Sequence, residues 1–350
     1  MSKIVRPHSV TRRQFLLGFS LVASSAIAVA CGQEPKGSAV SALPTPAAPT
    51  RIVAVPTPLP APSPMDPISL GQVQLVATIA MGSYKPIGVT VDERMNLFVI
   101  DMTPRVSKFD SSGRMVTAWG GSGSNDGEFF LTDAGFLGSN IASDQQGNVY
   151  IPDTGNARIE KFDGSGRFLL AWGSRGTGKG QFMYPHGVAV DRQRDIVYVA
   201  DTNNGRIQVF DTAGHFLALW GGGISQPIDI AVGSGGNLLI VDLGQVRILR
   251  FDSTGRPLAQ WGGYGTRDGQ FAQPLSCAVD GQGNLYVADT GNHRIQQFDS
   301  NGQFIAQWGN RGSDEGQFLY PTGVAVDGQG AVFIADSGNH RVLKFHSMGG

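Results

Sequence analysis

Four polar side chains interrupt an otherwise apolar pattern in this sequence, and their types are suited to binding or catalysis. Asn140, His186 and Thr322 stand at a position that elsewhere in the chain holds isoleucine or leucine, and Asp229 follows one such position where glycine is usual. An amide, an imidazole, a hydroxyl and a carboxylate can bind a polar ligand, move protons or hold a cation. Their function therefore depends on whether the fold brings them together.

The elements that must position these residues are short strands in an internal repeat. Five tryptophans, each followed by glycine, recur at spacings of 53, 48, 41 and 47 residues. Runs such as LSCAVD, LYVAD, RIQQFD and QFIAQWG, bounded by Gly, Asn, Asp and Ser, predict four strands joined by tight turns. Six phenylalanines and six aspartates keep the same register: Phe109, Phe162, Phe210, Phe251, Phe298, Phe345, and Asp101, Asp153, Asp201, Asp242, Asp289, Asp336. A repeated four-stranded unit of about 40–50 residues predicts a β-propeller.

The number of units predicts how the ring closes. Six units are present, but the sixth stops after RVLKFH, and the segment QLVATIAMG at residues 74–82 precedes the first unit with Met81-Gly82 where Trp-Gly would be. We therefore predict an all-β, six-bladed propeller of four-stranded antiparallel blades. The N-terminal strand, 74–82, is predicted to complete the last blade and so to remove an exposed sheet edge.

Two segments near the C-terminus carry a family resemblance. Asn292-His293-Arg294 and Asn339-His340-Arg341 resemble the motif that names the NHL repeat family, and the resemblance extends over about residues 72–346. It implies the propeller fold. Because the family includes lyases, sensor domains, RNA readers and protein-binding scaffolds, it does not select one function.

Residues that recur in every blade are predicted to be structural. The aspartate before the TGN-like segment is followed five residues later by an arginine in five units, and four residues later by Arg105 in the first. We interpret this pair as a brace across a loop. The Asn and Gly of the segment are predicted to supply left-handed backbone conformations.

Residues that occur in one blade only are predicted to be functional. The position of Asn140, His186 and Thr322 lies where each innermost strand begins, beside the central channel. We therefore predict that Asn140, His186, Asp229 and Thr322 converge on a channel mouth at this face and bind a ligand there.

The N-terminal region predicts export. Residues 1–31 read as a signal peptide, with a twin-arginine pattern at 11–16, an apolar run at 15–30 and a lipobox-like Cys31 as the site of lipidation. Ala28 stands where a lipobox usually has leucine, so a signal cleaved by a peptidase remains the alternative. Residues 32–70 predict a disordered, Pro- and Ala-rich linker, and 71–350 the propeller. The predicted location is outside the cytoplasm, anchored to the cell membrane by lipid.

Charge and cysteine content narrow the partners. The chain has 27 Lys+Arg and 28 Asp+Glu, and four of the basic residues but no acids precede Cys31, so the remainder carries 23 − 28 = −5. This balance disfavours nucleic-acid binding, which needs a basic face. Cys277 is the one cysteine after Cys31, so no disulfide within the propeller is expected. We expect a monomer.

Two classes of function are compatible with these observations. The first is a binding or scaffold module without a cofactor, whose ligand is a protein, a peptide or a glycan. The second is an enzyme: the resemblance extends to peptidyl-hydroxyglycine amidating lyases, which implies zinc held by three channel histidines. His186 is the one histidine at the channel position, although Asp229 and Asn140 could hold a harder cation. Sequence alone leaves metal binding and catalysis open.

Overall fold

The predicted propeller is confirmed. The structure, a computed structural model, describes residues 68–70, 73–131 and 140–347. These residues form six antiparallel sheets around a central channel, with the strands of each sheet named A to D from the channel outward. Strands A to D are Pro86–Val91, Leu97–Asp101, Arg105–Phe109 and Met115–Gly120 in blade 1; Ala142–Ser143, Val149–Asp153, Arg158–Phe162 and Phe168–Trp172 in blade 2; and Pro185–Asp191, Ile196–Asp201, Arg206–Asp211 and Phe216–Trp220 in blade 3.

The remaining three blades repeat this arrangement. They comprise Pro227–Val232, Leu238–Asp242, Arg247–Phe251 and Pro257–Gly262 in blade 4; Pro274–Val279, Leu285–Asp289, Arg294–Phe298 and Phe304–Trp308 in blade 5; and Pro321–Val326, Ala331–Asp336, Arg341–Ser347 and Val73–Ala80 in blade 6. Helical structure in the described residues is limited to three-residue 3₁₀ turns at Thr202–Asn204, Ser234–Gly236, Thr290–Asn292 and Ser337–Asn339. A short parallel pair, Ser174–Arg175 with Gln181–Phe182, lies in the connection to blade 3.

The N-terminal strand closes the ring as predicted. Val73–Ala80 pairs antiparallel with Arg341–Ser347 and supplies strand D of blade 6. A further strand, Ile68–Leu70, pairs with Val73–Leu75 and makes this sheet five-stranded. The propeller therefore includes residues before 71, the boundary expected from sequence.

The register of the closing strand differs from the prediction by two residues. Trp308 lies opposite Ile295 in blade 5, and Ile79 lies opposite Val342, the equivalent residue of blade 6. Ile79-Ala80, and not Met81-Gly82, therefore occupies the Trp-Gly position. The mismatch arises because Met81-Gly82 belongs to the turn that follows the strand, in which the amide of Tyr84 donates to the carbonyl oxygen of Met81 at 3.1 Å.

Aromatic rings connect neighbouring blades. At four junctions the tryptophan of one blade packs against the phenylalanine at the repeated position of the next blade, with ring centroids 5.8–6.3 Å apart: Trp119–Phe162, Trp172–Phe210, Trp261–Phe298 and Trp308–Phe345. Each of these phenylalanines is at least 99% buried. Because blade 6 has Ile79 in place of tryptophan, a small cavity of about 60 Å³ remains at the junction with blade 1, lined by Ile79, Gly113 and Phe333 among others.

The repeated Asp–Arg pair is structural, as predicted. In blade 5, Asp289 Oδ2 accepts hydrogen bonds from Arg294 Nε at 2.7 Å and from Asn292 Nδ2 at 2.8 Å. Asp289 Oδ1 accepts from the amide of Ala272 in the connection between blades 4 and 5, at 2.7 Å. The pair therefore fixes the loop between strands B and C to the inter-blade connection.

The explanation offered for the TGN segment is wrong. The left-handed residue is the one after it, with φ of 57° at His293 and 55° at His340, whereas Gly291 and Asn292 lie in a 3₁₀ turn. Gly291 is required for another reason: a Cβ there would lie 2.6 Å from the carbonyl oxygen of Ala272. The glycine permits the close approach of the connection to the loop.

The predicted signal peptide, including Cys31, lies outside the described residues, and so do residues 32–67 of the predicted linker. Among the residues that are described, no helix combines the length and the apolar character needed to cross a membrane.

The cavity at the blade 6–blade 1 junction gives a stability prediction. We expect Ile79→Trp to raise the free energy of unfolding by about 0.5–2 kcal/mol, because the indole would fill the cavity and pack on Phe109 as the other tryptophans do. Urea denaturation monitored by circular dichroism measures the change. Thr78→Trp, which places the same ring one residue earlier and on the other face of the strand, is the control and should not stabilise. Equal stability of wild type and Ile79→Trp would mean that the cavity is not the weak point of the ring.

Candidate functional site

The structure places the four predicted residues in two different positions of strand A. Ala142 pairs with Tyr150 as Ala189 pairs with Tyr198, so Asn140 is equivalent to Gly187 and not to His186. By the same register, Asp229 is equivalent to Gly187. The one-residue error for Asn140 arises because blade 2 lacks the proline that marks the start of strand A in the other five blades. Asn140 and Asp229 are therefore polar replacements of the same glycine, as is Ser276 in blade 5.

Asn140 and Asp229 bind each other directly. Asn140 Nδ2 lies 2.8 Å from each carboxylate oxygen of Asp229, two blades away. The carboxylate also accepts the amide hydrogens of Ile230, at 2.8 Å, and of Cys277 in blade 5, at 2.9 Å. The contact passes Gly187, where a Cβ would lie 2.7 Å from the Cα of Asp229. We call this arrangement the Asn140–Asp229 clasp.

The clasp is enclosed by protein. Asp229 is fully buried and Asn140 is 8% exposed. Burial raises the pKa of Asp229 to about 6, although the hydrogen bonds from Asn140, Cys277 and Ile230 favour the charged carboxylate and oppose that increase. The carboxylate accepts hydrogen bonds from three blades, so its role is to hold the inner strands together at this level of the channel.

His186 makes separate contacts. Its Nδ1 lies 2.9 Å from the carbonyl oxygen of Tyr184 and 3.1 Å from Thr202 Oγ1. Burial lowers the pKa of His186 to about 4, so the ring is neutral at neutral pH. Since a carbonyl oxygen can only accept, the proton is on Nδ1, and Nε2 carries the lone pair.

Thr322 seals the junction between blades 6 and 1. Its hydroxyl donates to the carbonyl oxygen of Pro86 at 3.3 Å. In blades 2, 3 and 5 a threonine of the B–C loop donates in the same way to the proline of the next blade: Thr154 to Pro185, Thr202 to Pro227 and Thr290 to Pro321. Blade 6 has Ser337 at that position, and its hydroxyl lacks a hydrogen-bond partner. Thr322 performs the contact in its place.

The predicted residues therefore do not line one open mouth. Each is at least 92% buried, and of the four only Asn140 borders the channel cavity. The cavity has a volume of about 480 Å³ and reaches the turns between strands A and B, including residues 191–193 and 233–236. It thus opens on the face opposite the one predicted. We call the face with the A–B turns the turn face, and the face with the B–C loops and inter-blade connections the connection face.

The cavity has a charged residue at its opening that sequence analysis did not select. Arg192 Nε donates to the carbonyl oxygen of Ser143 at 3.0 Å, and Nη2 donates to Ser143 Oγ at 2.7 Å and to the carbonyl oxygen of Val91 at 2.9 Å. Arg192 therefore joins blade 3 to blades 2 and 1 across the opening. The signal was present in the sequence, because Arg192 is the one basic residue among the equivalent turn residues of the six blades: Glu93, Gln145, Arg192, Ser234, Gly281 and Gly328.

The described residues contain no group of three or more His, Cys, Asp or Glu side chains placed to hold a metal ion. His293 and His340 are in the loops between strands B and C and not at the start of strand A. His215 pairs with Asp211 in a C–D turn. Cys277 is a buried thiol whose pKa is raised by burial and by the nearby Asp229. None of these residues joins His186.

Comparison with known proteins agrees with this architecture. A family profile described as NHL repeat matches residues 182–210, 271–298 and 318–345, the segments that run through strands A to C of blades 3, 5 and 6. Three blades of this propeller therefore match the NHL repeat profile.

A curated relative shares a short segment with this propeller. The protein called brain tumor from Drosophila melanogaster is 39% identical over 67 residues, which cover 19% of this chain and 6% of that protein. The chain thus corresponds to a small part of its length, and the match carries no whole-protein activity.

Solved structures share the fold. A streptogramin B lyase superposes with a TM-score of 0.55 at 16% identity, covering 77% of this chain and 96% of that one. A protein of unknown function from Bacteroides thetaiotaomicron gives a TM-score of 0.58 at 18% identity, covering 76% and 71%. At these identities the likeness shows the fold alone.

The clasp predicts how the stability of the propeller depends on pH. Because burial raises the pKa of Asp229 from its ordinary value of 3.8 to about 6 in the folded chain, its contribution is complete below about pH 4 and is lost as pH rises through 6. Asp229→Asn removes this titration. We expect wild type to lose on the order of 2–3 kcal/mol relative to the variant between pH 4 and pH 7.5. Urea unfolding at both pH values measures the difference, and parallel pH profiles would contradict it.

Proposed function

We propose that this chain is an exported, lipid-anchored NHL propeller that acts as a binding module for a partner protein, which it engages through the connection face. Export and lipidation at Cys31 are supported by the sequence features of residues 1–31, and the acidic balance of the remainder argues against nucleic acid as a partner. A ligand smaller than a partner protein, a peptide or a glycan, would bind the same face.

The observation that carries the proposal is the location of exposed apolar side chains. The described residues include eight large hydrophobic side chains that are more than a third exposed. Five belong to the outer strands D of blades 1, 3, 4 and 5: Val116, Leu217, Leu219, Leu258 and Ile305. The other three, Met102, Phe130 and Tyr264, are 43%, 52% and 80% exposed and lie in loops of the connection face.

Exposed aromatic and methionine side chains of this kind are enriched in protein interfaces. They are also placed on the scaffold where binding residues are expected, because the loops of the connection face are held rigidly by the Asp–Arg pairs described above. Tyr264 is in the connection between blades 4 and 5, and Phe130 is fixed by its amide, which donates to Asp153 Oδ1 at 2.7 Å.

The geometry favours binding over the lyase alternative. Zinc-dependent catalysis needs three or more converging ligands, and the described residues offer no such group. Asn140 and Asp229, which could have held a harder cation, are committed to each other.

A comparison of surface variants tests the proposal. Met102→Ser, Phe130→Ser and Tyr264→Ser combined in one full-length chain should abolish chemical crosslinking to a membrane or envelope partner in cells. The matched control combines Leu217→Ser, Leu258→Ser and Ile305→Ser on the outer strands, where side chains are exposed to a similar degree. It should keep the same crosslinked species.

Each variant must show the wild-type melting temperature, so that a loss of partner reflects the surface. If the outer-strand variant lost the crosslink and the connection-face variant kept it, the connection face would not be the binding surface.

A further inference from the structure

The Asp–Arg pair holds the inter-blade connection through the arginine. In blade 5, Arg294 Nη2 donates to the carbonyl oxygens of Arg267 and Gln270, both at 2.9 Å. Blades 2, 3 and 6 have equivalent contacts at 2.6–3.0 Å, from Arg158, Arg206 and Arg341 to carbonyl oxygens of their own connections. Four blades thus show one guanidinium binding an extended backbone segment.

A second side chain binds the same segment in three blades. Gln296 Oε1 accepts the amide of Gly269 at 2.9 Å, and its Nε2 donates to the carbonyl oxygen of Gln270 at 2.7 Å. Gln208 and Glu160 occupy the same position in blades 3 and 2 and accept the amides of Gly180 and Gly127. The site therefore recognises backbone donors and acceptors and does not depend on a particular side chain of the loop.

Blade 1 has this site without the segment that fills it. Its connection consists of residues 81–85, whereas the connection that fills blade 6 runs from 309 to 320. Arg105 Nη2 and Ser107 Oγ are buried and have no hydrogen-bond partner among the residues that the structure describes, whereas Arg105 Nε and Asp101 Oδ2 form a long ion pair with each other at 3.5 Å. Arg105 is 7% exposed, and Asp101 and Ser107 are fully buried. A buried polar group left without a partner costs about 1–3 kcal/mol.

A short connection does not by itself leave the arginine without partners. Blade 4 also has a short connection, at 221–226, yet Arg247 Nη2 binds the carbonyl oxygen of Gly223 and Nη1 binds Gln260 Oε1. In blade 1 the nearest substitute is the ring of Tyr84, whose centroid lies 3.8 Å from Arg105 Cζ. A ring face attracts the cation but accepts none of its in-plane hydrogen bonds.

We propose that blade 1 binds an extended peptide segment of a partner protein in place of the connection it lacks, with Arg105 donating to two backbone carbonyl oxygens and Ser107 bonding to a backbone amide or carbonyl. This inference rests on the proposed function and specifies one part of the connection face. The segment would present a glycine-rich backbone like those of the chain's own connections, which contain GKGQF and RDGQF. Tyr84, which is half-buried, covers the site and rotates away on binding.

A synthetic peptide with the sequence of residues 173–184, GSRGTGKGQFMY, is the probe. Fluorescence anisotropy of the labelled peptide, titrated with the full chain, should show saturable binding to wild type. Tyr84→Ala should tighten binding several-fold by uncovering Arg105, and Arg105→Ala should weaken it at least tenfold. A scrambled peptide of the same composition should not bind.

Arg294→Ala is the matched control for loss of fold, because it removes the equivalent arginine from a blade whose site is already filled. It should bind the peptide as wild type does. Absence of saturable binding to both wild type and Tyr84→Ala would overturn the proposal and would mean that solvent alone completes the hydrogen bonds of blade 1. Equal binding by Arg105→Ala and wild type would overturn it as well.

The outcome is distinguishable from that of the proposed function. If the connection-face variant loses its crosslinked partner but the peptide does not bind, the blade 1 site is wrong and the binding module stands. If the peptide binds through Arg105 while the connection-face variant keeps its partner, the apolar residues chosen for the interface are wrong and the blade 1 site stands.

Discussion

The pairing of Val73–Ala80 with Arg341–Ser347 is the contact on which the rest of the ring depends. Five blades carry a tryptophan on the outer strand and the sixth has Ile79 there, and each of these side chains packs toward the next blade, so each blade depends on two neighbours. Closure by strands from opposite ends of the domain supplies the last of these contacts at the cost of bringing distant segments together. The junction between blades 6 and 1 is also where the repeat is least regular. Ile79 replaces a tryptophan there, Thr322 replaces a B–C loop threonine, and Arg105 lacks the loop that its equivalents bind.

The repeat made the fold predictable because three kinds of residue, Trp, Phe and Asp, keep one register along the chain. The same regularity explains why the Asp–Arg pair was correctly interpreted as structural. Register within a strand was harder to predict. Asn140 was misplaced by one residue because no proline marks the start of its strand. Met81-Gly82 was misplaced by two residues because the pair belongs to the turn after the strand and not to the strand itself. A one-residue error changes the direction in which a side chain points.

The candidate site was only partly predictable, for a physical reason. A polar residue that breaks the symmetry of a repeat has two uses: it can meet a ligand, or it can satisfy a neighbour inside the fold. The sequence alone does not distinguish these two uses. Asp229 accepts hydrogen bonds from Asn140 and from two backbone amides, and Thr322 caps the carbonyl of Pro86. Arg192 was overlooked because it lies in a turn and because the opposite face was expected to carry the opening. The equivalent residues of blades 5 and 6 are glycines, so only the structure shows that Arg192 joins three blades across the opening of the channel.

The short strand Ile68–Leu70 has a mechanical consequence. It lies at the outer edge of blade 6 and forms a hairpin with the strand that closes the ring. Tension on the chain preceding Ile68 would therefore be borne first by the three residues of this edge strand, whose hydrogen bonds to Val73–Leu75 would break one after another. The closing strand would be loaded only after they had parted. If the proposed lipid anchor at Cys31 loads the chain in this way, the edge strand yields first and protects the strand that closes the ring.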